Sequence, residues 1–132
     1  MHLIVCIEDN DGMSFCGRRL SSDRIVIERI NTLTSGANLW MNQYSARLFS
    51  QEKVRVDEAF LQKAFQGDYC FVENIPLPTD EEVFESVILY CWNRRYPATL
   101  KFPREILKNK EQDYTEEFSG YSHDKITMEI YR

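Results

Sequence analysis

Five consecutive residues without a charged or amide side chain, Leu3-Ile4-Val5-Cys6-Ile7, stand near the start of the chain and are closed by Glu8-Asp9-Asn10-Asp11-Gly12. A short apolar run rich in β-branched residues is a strand covered on both faces, because a half-exposed strand would alternate. It therefore belongs in the middle of a sheet. From Leu20 to Leu33 the pattern changes to helical, with Val26, Ile27, Ile30 and Leu33 on one face and Arg24, Glu28 and Asn31 on the other. Ser21 or Ser22 caps this helix, Asp23 falls in its first turn, and Ser35-Gly36 ends it. Ala37 to Met41 reads as a second strand, so strand, helix and strand predict a crossover with a parallel pair. Residues 9–20, with Gly12 and Gly17 and no periodicity, read as a loop longer than a connection needs.

Further on, a short helix over about Tyr44 to Gln51 and a weak extended piece at Lys53 to Val56 precede a helix capped by Asp57. That helix carries Phe60, Leu61, Ala64 and Phe65 and stops at Gly67. Tyr69 to Val72 is a strand apolar on both faces, and it runs into Pro76 and Pro78, which cannot continue a central ladder. Ser86 to Trp92 is too rich in β-branched and aromatic residues for a helix. Leu100-Lys101-Phe102 reads as a short extended piece and Arg104 to Lys110 as a helical turn. In the tail, Ile126, Met128 and Ile130 alternate with Thr127, Glu129 and Tyr131, and Asp113 to Phe118 pairs with this run as an antiparallel hairpin on the sheet edge. The expected fold is α/β, a three-layer sandwich with a mixed, mainly parallel sheet and a C-terminal antiparallel hairpin.

Composition limits what such a fold does. A chain of 132 residues, 43% apolar, fits one domain over 1–132, and eight Phe, seven Tyr and two Trp supply its core. The formal charge of −5 excludes a broad surface for nucleic acid, which needs a field of Lys and Arg. The absence of a long apolar run, and of a basic start with a cleavage site, argues against a membrane partner and for a cytoplasmic protein. Cys6, Cys16, Cys70 and Cys91 have no Cys-x-x-Cys spacing, and only Cys16 sits in a polar stretch, beside Arg18 and Arg19. Placing Gly12 at the glycine of a calcium loop puts Ile7 at the first ligand and Arg18 where the last Glu belongs. No metal site is expected, a single Mg²⁺ contact at the strand end being the lesser alternative.

The order of elements resembles a dihydrofolate reductase over nearly the whole chain. The matching residues are Gly12-Met13 in the long loop, Leu20-x-x-Asp23 with Arg29-x-x-Thr32-Leu33, Thr99-Leu100-Lys101-Phe102-Pro103, and the last strand Ile126 to Arg132. The resemblance implies that Asp23 binds a pterin-like ring and assists its protonation, and that a reduced nicotinamide dinucleotide, NAD(P)H, is the cofactor. That family's Gly-Arg-x-Thr segment is replaced here by Met41-Asn42-Gln43-Tyr44-Ser45, and its Gly-Gly turn by Glu73-Asn74-Ile75-Pro76. A phosphate cradle needs approachable backbone N–H groups, and a carboxylate there repels the anion, so the dinucleotide motifs are absent. The chain is also similar to short bacterial chains labelled ribonuclease Z. Enzymes of that name are zinc hydrolases with a His-x-His-x-Asp-His cluster, and a chain with only His2 and His123 cannot build one.

The candidate catalytic residues are Asp23 and His123, each with a plainer reading. Asp23 is either a ligand carboxylate or a favourable charge at a helix start, and His123 is either an acid–base group or an exposed turn residue. Arg18-Arg19 and Arg94-Arg95 each flank a strand end, and Trp92 and Tyr96 frame the second pair, an arrangement suited to clamping phosphate and stacking a base. Solvated arginines packed over aromatics are the alternative. The expected ligand site is a cleft lined by the 9–20 loop, Arg18, Arg19, Asp23, Trp40, Arg94 and Arg95. It would take a small anionic or heteroaromatic ligand such as a nucleotide. A reductase with altered phosphate contacts is the second reading, and an interaction protein or homodimer the third.

Overall fold

The strand at the apolar run, β1 (His2–Ile7), has a parallel neighbour on each side, and this is why its residues are apolar on both faces. The computed structural model describes residues 1–80 and 82–132. After β1 come β2 (Gly12–Phe15), β3 (Arg18–Arg19), α1 (Arg24–Leu33), β4 (Leu39–Met41) and α2 (Gln43–Ala46). A 3₁₀ turn at Gln51–Lys53 leads to β5 (Arg55–Val56), α3 (Phe60–Lys63), β6 (Tyr69–Phe71) and β7 (Ser86–Cys91). The chain closes with β8 (Leu100–Lys101), a 3₁₀ turn at Arg104–Leu107, β9 (Gln112–Phe118) and β10 (Ile126–Tyr131).

Seven of these strands form one sheet in the order β5-β4-β6-β1-β7-β10-β9. The pairings from β5 to β7 are parallel, and β10 joins antiparallel to both β7 and β9. The mixed, mainly parallel sheet and the C-terminal hairpin are those the sequence predicts. The crossover pair is not: β6 lies between β1 and β4, so these two strands do not hydrogen-bond to each other.

Alternation along β1 feeds two cores. Ile4 joins Phe71, Ile88 and Tyr90 on the face covered by Val26 and Ile30 of α1 and by Phe49. Leu3, Val5 and Ile7 join Val87 and Leu89 on the other face, under Phe60, Leu77, Phe84, Phe102 and Ile106. Each such aliphatic or aromatic side chain stabilises the fold by about 1.5–3 kcal/mol when fully buried. Among the described residues only α1 is a helix of several turns. The second layer is a one-turn helix, a 3₁₀ turn and loops that deliver single large side chains, so helical cover is thinner than expected.

Three local expectations are corrected. Residues 9–20 are not a long loop: β2 and β3 form a tight hairpin, and β8 pairs on its other side to complete a small sheet. Cys16 and Gly17 take φ of +48° and +81° at its tip, the two successive positive values of a tight hairpin turn. The cap of α1 is Asp23 itself, whose side chain accepts from Ile25 N–H, rather than Ser21 or Ser22. The helix expected from Asp57 shrinks to one turn because Ala64 becomes extended, which leaves Phe65 on the surface. No helix among the described residues is long and apolar enough to cross a membrane.

Candidate functional site

Asp23 lies beneath the loop that joins β9 to β10. Its Oδ1 accepts from the N–H groups of Ile25 and Tyr121, both at 2.9 Å. Oδ2 accepts from Ser122 N–H at 2.9 Å and Ser122 Oγ at 3.2 Å, and lies 2.8 Å from His123 Nδ1. The approach is close enough that a Cβ on Gly120 would sit 2.6 Å from Oδ2. Burial favours the neutral acid, but the donors of Tyr121, His123, Ser122 and Ile25 outweigh it and hold the carboxyl well below the usual range. An ionised Asp23 favours a His123 Nδ1–H directed at it, and on the far side of the ring Nε2 lies 2.9 Å from Ser21 Oγ. His123 is buried, not exposed at a turn, and stacks on Trp92 with ring centroids 4.6 Å apart.

This Ser21–His123–Asp23 chain binds the hairpin loop to the start of α1. It leaves Asp23 occupied by the protein's own donors, and an ionised carboxylate cannot act as a general acid. Arg24 does not reach the carboxylate; its guanidinium lies over the Tyr121 ring at 4.1 Å.

The basic pairs divide their roles. Arg19 makes a bidentate pair with Glu73, Nε to Oε2 at 2.9 Å and Nη2 to Oε1 at 3.0 Å, over the ring of Tyr44. Glu73 is buried and also accepts from Ser45 Oγ at 2.7 Å. Arg18 is exposed and makes no ion pair among the described residues. Together with Phe15, Arg19, Leu20, Tyr96 and Pro97 it lines a cleft of about 290 Å³. The cleft lies at the carboxyl edge of the parallel strands, since Glu73 follows β6.

Arg94 and Arg95 follow β7 at the same edge and are exposed, but they do not line this cleft. Trp92, expected to frame them, is turned inward onto His123, while Tyr96 does reach the cleft. Trp40 is at the opposite edge: its indole N–H donates to Asp68, which precedes β6. The structure thus brings Arg18, Arg19 and Tyr96 together, joins Asp23 to His123, and leaves Trp40 apart from both.

Phe15, Glu73 and Ser21 are the residues that sequence reasoning missed. A lone carboxylate ending an apolar strand, as Glu73 does, is the signal that points to a buried partner. Two carboxylates of the acidic run after β1 are taken up internally. Glu8 accepts from the N–H groups of Asn10 and Gly12 at 2.8 and 2.7 Å, and Asp11 pairs with Arg104 through two 2.9 Å bonds. Among the described residues no three His, Cys, Asp or Glu side chains gather as a metal site.

No family model and no curated protein sequence matches the chain. Among solved structures, it is similar to a dihydrofolate reductase from Enterococcus faecalis in complex with NADP(H) and RAB-propyl. The TM-score is 0.69 at 11% identity, over 99% of this chain and 94% of that one. The chain has a dihydrofolate reductase-like fold.

A dinucleotide fits poorly where the resemblance places its phosphates. Asn42 caps α2 by accepting from Ser45 N–H and donates to Asn74, and the neighbouring Glu73 carboxylate is already tied to Arg19 and Ser45. Neither segment offers a glycine-lined set of free N–H groups to an anion.

Proposed function

We propose that the protein binds a small anionic, heteroaromatic ligand of nucleotide-like chemistry in the cleft between the β2–β3 hairpin and Tyr96-Pro97. The observation that carries this reading is Arg18, a cation without an ion pair among the described residues, beside Phe15 and Tyr96 in a cleft at the carboxyl edge of parallel strands. Open α/β sheets bind ligands at that edge. An aromatic pair and one guanidinium supply a stacking surface and a charge for a single anionic group. Four free cysteines suit a reducing compartment, and the same reading sets the protein in the cytoplasm.

A thermal-shift panel of nucleotides, folates and reduced nicotinamide dinucleotides tests this. A ligand at a hundredfold excess over its Kd stabilises by about 2.7 kcal/mol, and Arg18→Ala should abolish that shift while leaving the unliganded Tm unchanged. A shift accompanied by loss of nicotinamide absorbance with a substrate would establish a reductase instead. No shift with any compound defeats the ligand reading. It would leave an interaction protein, for which the exposed Phe65, Tyr114 and Tyr121 offer contact surface.

A further inference from the structure

The Ser21–His123–Asp23 chain has a geometry that capping a helix does not require. Asp23 Oδ2 lies 2.8 Å from His123 Nδ1, and the opposite ring nitrogen, Nε2, lies 2.9 Å from Ser21 Oγ. These are the contacts through which a carboxylate orients an imidazole and the imidazole takes a proton from a serine hydroxyl. Such a constellation is defined by its geometry and not by the order of its members along the chain. Burial opposes ionisation of Asp23, but the donors of Tyr121, His123, Ser122 and Ile25 prevail and keep it an anion. A neutral ring with Nδ1–H directed at that anion has Nε2 left as its acceptor.

The two inner members are fixed and the outer one is accessible. Asp23 and His123 are buried, and the imidazole is stacked on Trp92 with centroids 4.6 Å apart. Ser21 is half-buried and Ser22 is exposed. Leu20, the residue before Ser21, lines the cleft of about 290 Å³ beside Phe15, and Tyr96 of the same cleft packs against the core cluster that contains Trp92. An aromatic-walled space therefore adjoins the serine. The Ser22 N–H donates to no group among the described residues, and the N–H that follows a nucleophilic serine is a common donor to an oxyanion.

We propose that Ser21 is a nucleophile that hydrolyses small, uncharged carboxylic esters, with His123 as general base and acid, Asp23 orienting the imidazole and Ser22 N–H stabilising the oxyanion. Ser21 Oγ bonds to the ester carbonyl carbon while its proton passes to His123 Nε2. The bond from that carbon to the alcohol oxygen then breaks, and the alcohol leaves with the proton. Water attacks the acyl carbon as His123 takes a proton from it, the bond to Oγ breaks, and the carboxylic acid departs as Ser21 regains its proton. The inference rests on the nucleotide-like reading only for the capacity of the cleft to hold an aromatic ring, and it needs no charge on the substrate.

p-Nitrophenyl acetate is the substrate probe. Diisopropyl fluorophosphate, whose phosphorus bonds to a nucleophilic Oγ with loss of fluoride, is the covalent probe. The protein should release p-nitrophenol over repeated turnovers, faster than the unfolded chain does, and carry a single phosphoryl group on the peptide containing Ser21. Ser21→Ala should lower turnover at least about a hundredfold and remove the label. Ser35→Ala, at an exposed position beyond α1, should change neither. No turnover above that of the unfolded chain, no label, attachment to another residue, or turnover that persists in folded Ser21→Ala would each overturn the proposal. Should Ser21→Ala fail to fold, the residue that bears the phosphoryl group in the wild type decides. Because the ester is uncharged, a failed nucleotide panel and a failed ester assay are separate results, the first bearing on the Arg18 reading and the second on Ser21.

Discussion

Asp23 accepts hydrogen bonds from backbone N–H groups of Ile25, Tyr121 and Ser122 as well as from side chains of the same loop. Removing the carboxylate strands several buried donors at once, so Asp23→Ala should cost about 3–5 kcal/mol at pH 7 in urea unfolding. The pH dependence has a definite sign. The folded carboxyl titrates below its unfolded value of about 3.9, so its stabilisation is complete above that value and is lost as the pH falls through the folded value. Asp23→Asn lacks that titration, and the stability gap between wild type and this variant should narrow from about pH 4 to about pH 2. A constant gap across that window would show that the hydrogen bonds do not depend on the charge. The sequence shows Asp23 at a helix start, but not that residues about a hundred positions away supply its partners. His123 carries no local mark of burial, because the contact that buries it, Trp92, is brought to it by the fold.

Elements were legible where their side chains report their surroundings. β1, β6, β7 and β10 are apolar, β-branched or strictly alternating, and each lies within a residue or two of its expected place. The β2–β3 hairpin leaves little mark in the sequence because Met13 and Phe15 alternate over only four residues and its turn, Cys16-Gly17, lacks the usual Asn or Asp. α3 is shorter than its pattern predicts because Phe60, Leu61, Ala64 and Phe65 keep helical spacing while only Phe60 of these four is fully buried. Packing, rather than spacing, ends that helix. The β9–β10 connection illustrates a constraint invisible at the level of pattern. A Cβ at position 120 would meet Asp23 Oδ2 at 2.6 Å and Ile126 Cδ1 at 2.8 Å, both from well-packed groups. Gly120→Ala should therefore destabilise by about 1–3 kcal/mol, read as a lowered Tm with unchanged far-ultraviolet circular dichroism below it.

Across the whole molecule the fold class followed from β1 and the tail, while the strand order did not. Nothing in Leu39–Met41 or Tyr69–Phe71 states which of them borders β1, since both are short, buried and parallel. The candidate cleft was legible in part, through Arg18, Arg19 and Tyr96. Its remaining wall depends on a hairpin the sequence did not announce. β9 is one of the two edges of the sheet, and Asp113, Glu116 and Glu117 keep that edge charged, which discourages pairing with another chain.

β10 lies between β7 and β9, so the interior of the sheet contains a strand that leaves a ribosome after both of its neighbours. During synthesis β7 ends at Cys91 and waits with an open apolar flank until Ile126–Tyr131 emerges, and β9 cannot dock ahead of it. The polypeptide ending at residue 125 should consequently be protease-sensitive and lack dispersed amide NMR signals, whereas addition of residues 126–132 as a separate peptide should restore protection. A folded 1–125 fragment would refute this. The same geometry makes the start of α1 a late event, because Asp23 meets the donors of Tyr121 and Ser122 only when that loop is held in place by the strand that follows it. Translation thus leaves a window in which the nascent chain has most of its apolar side chains and no closed sheet to hold them, and holdase binding would act within that window.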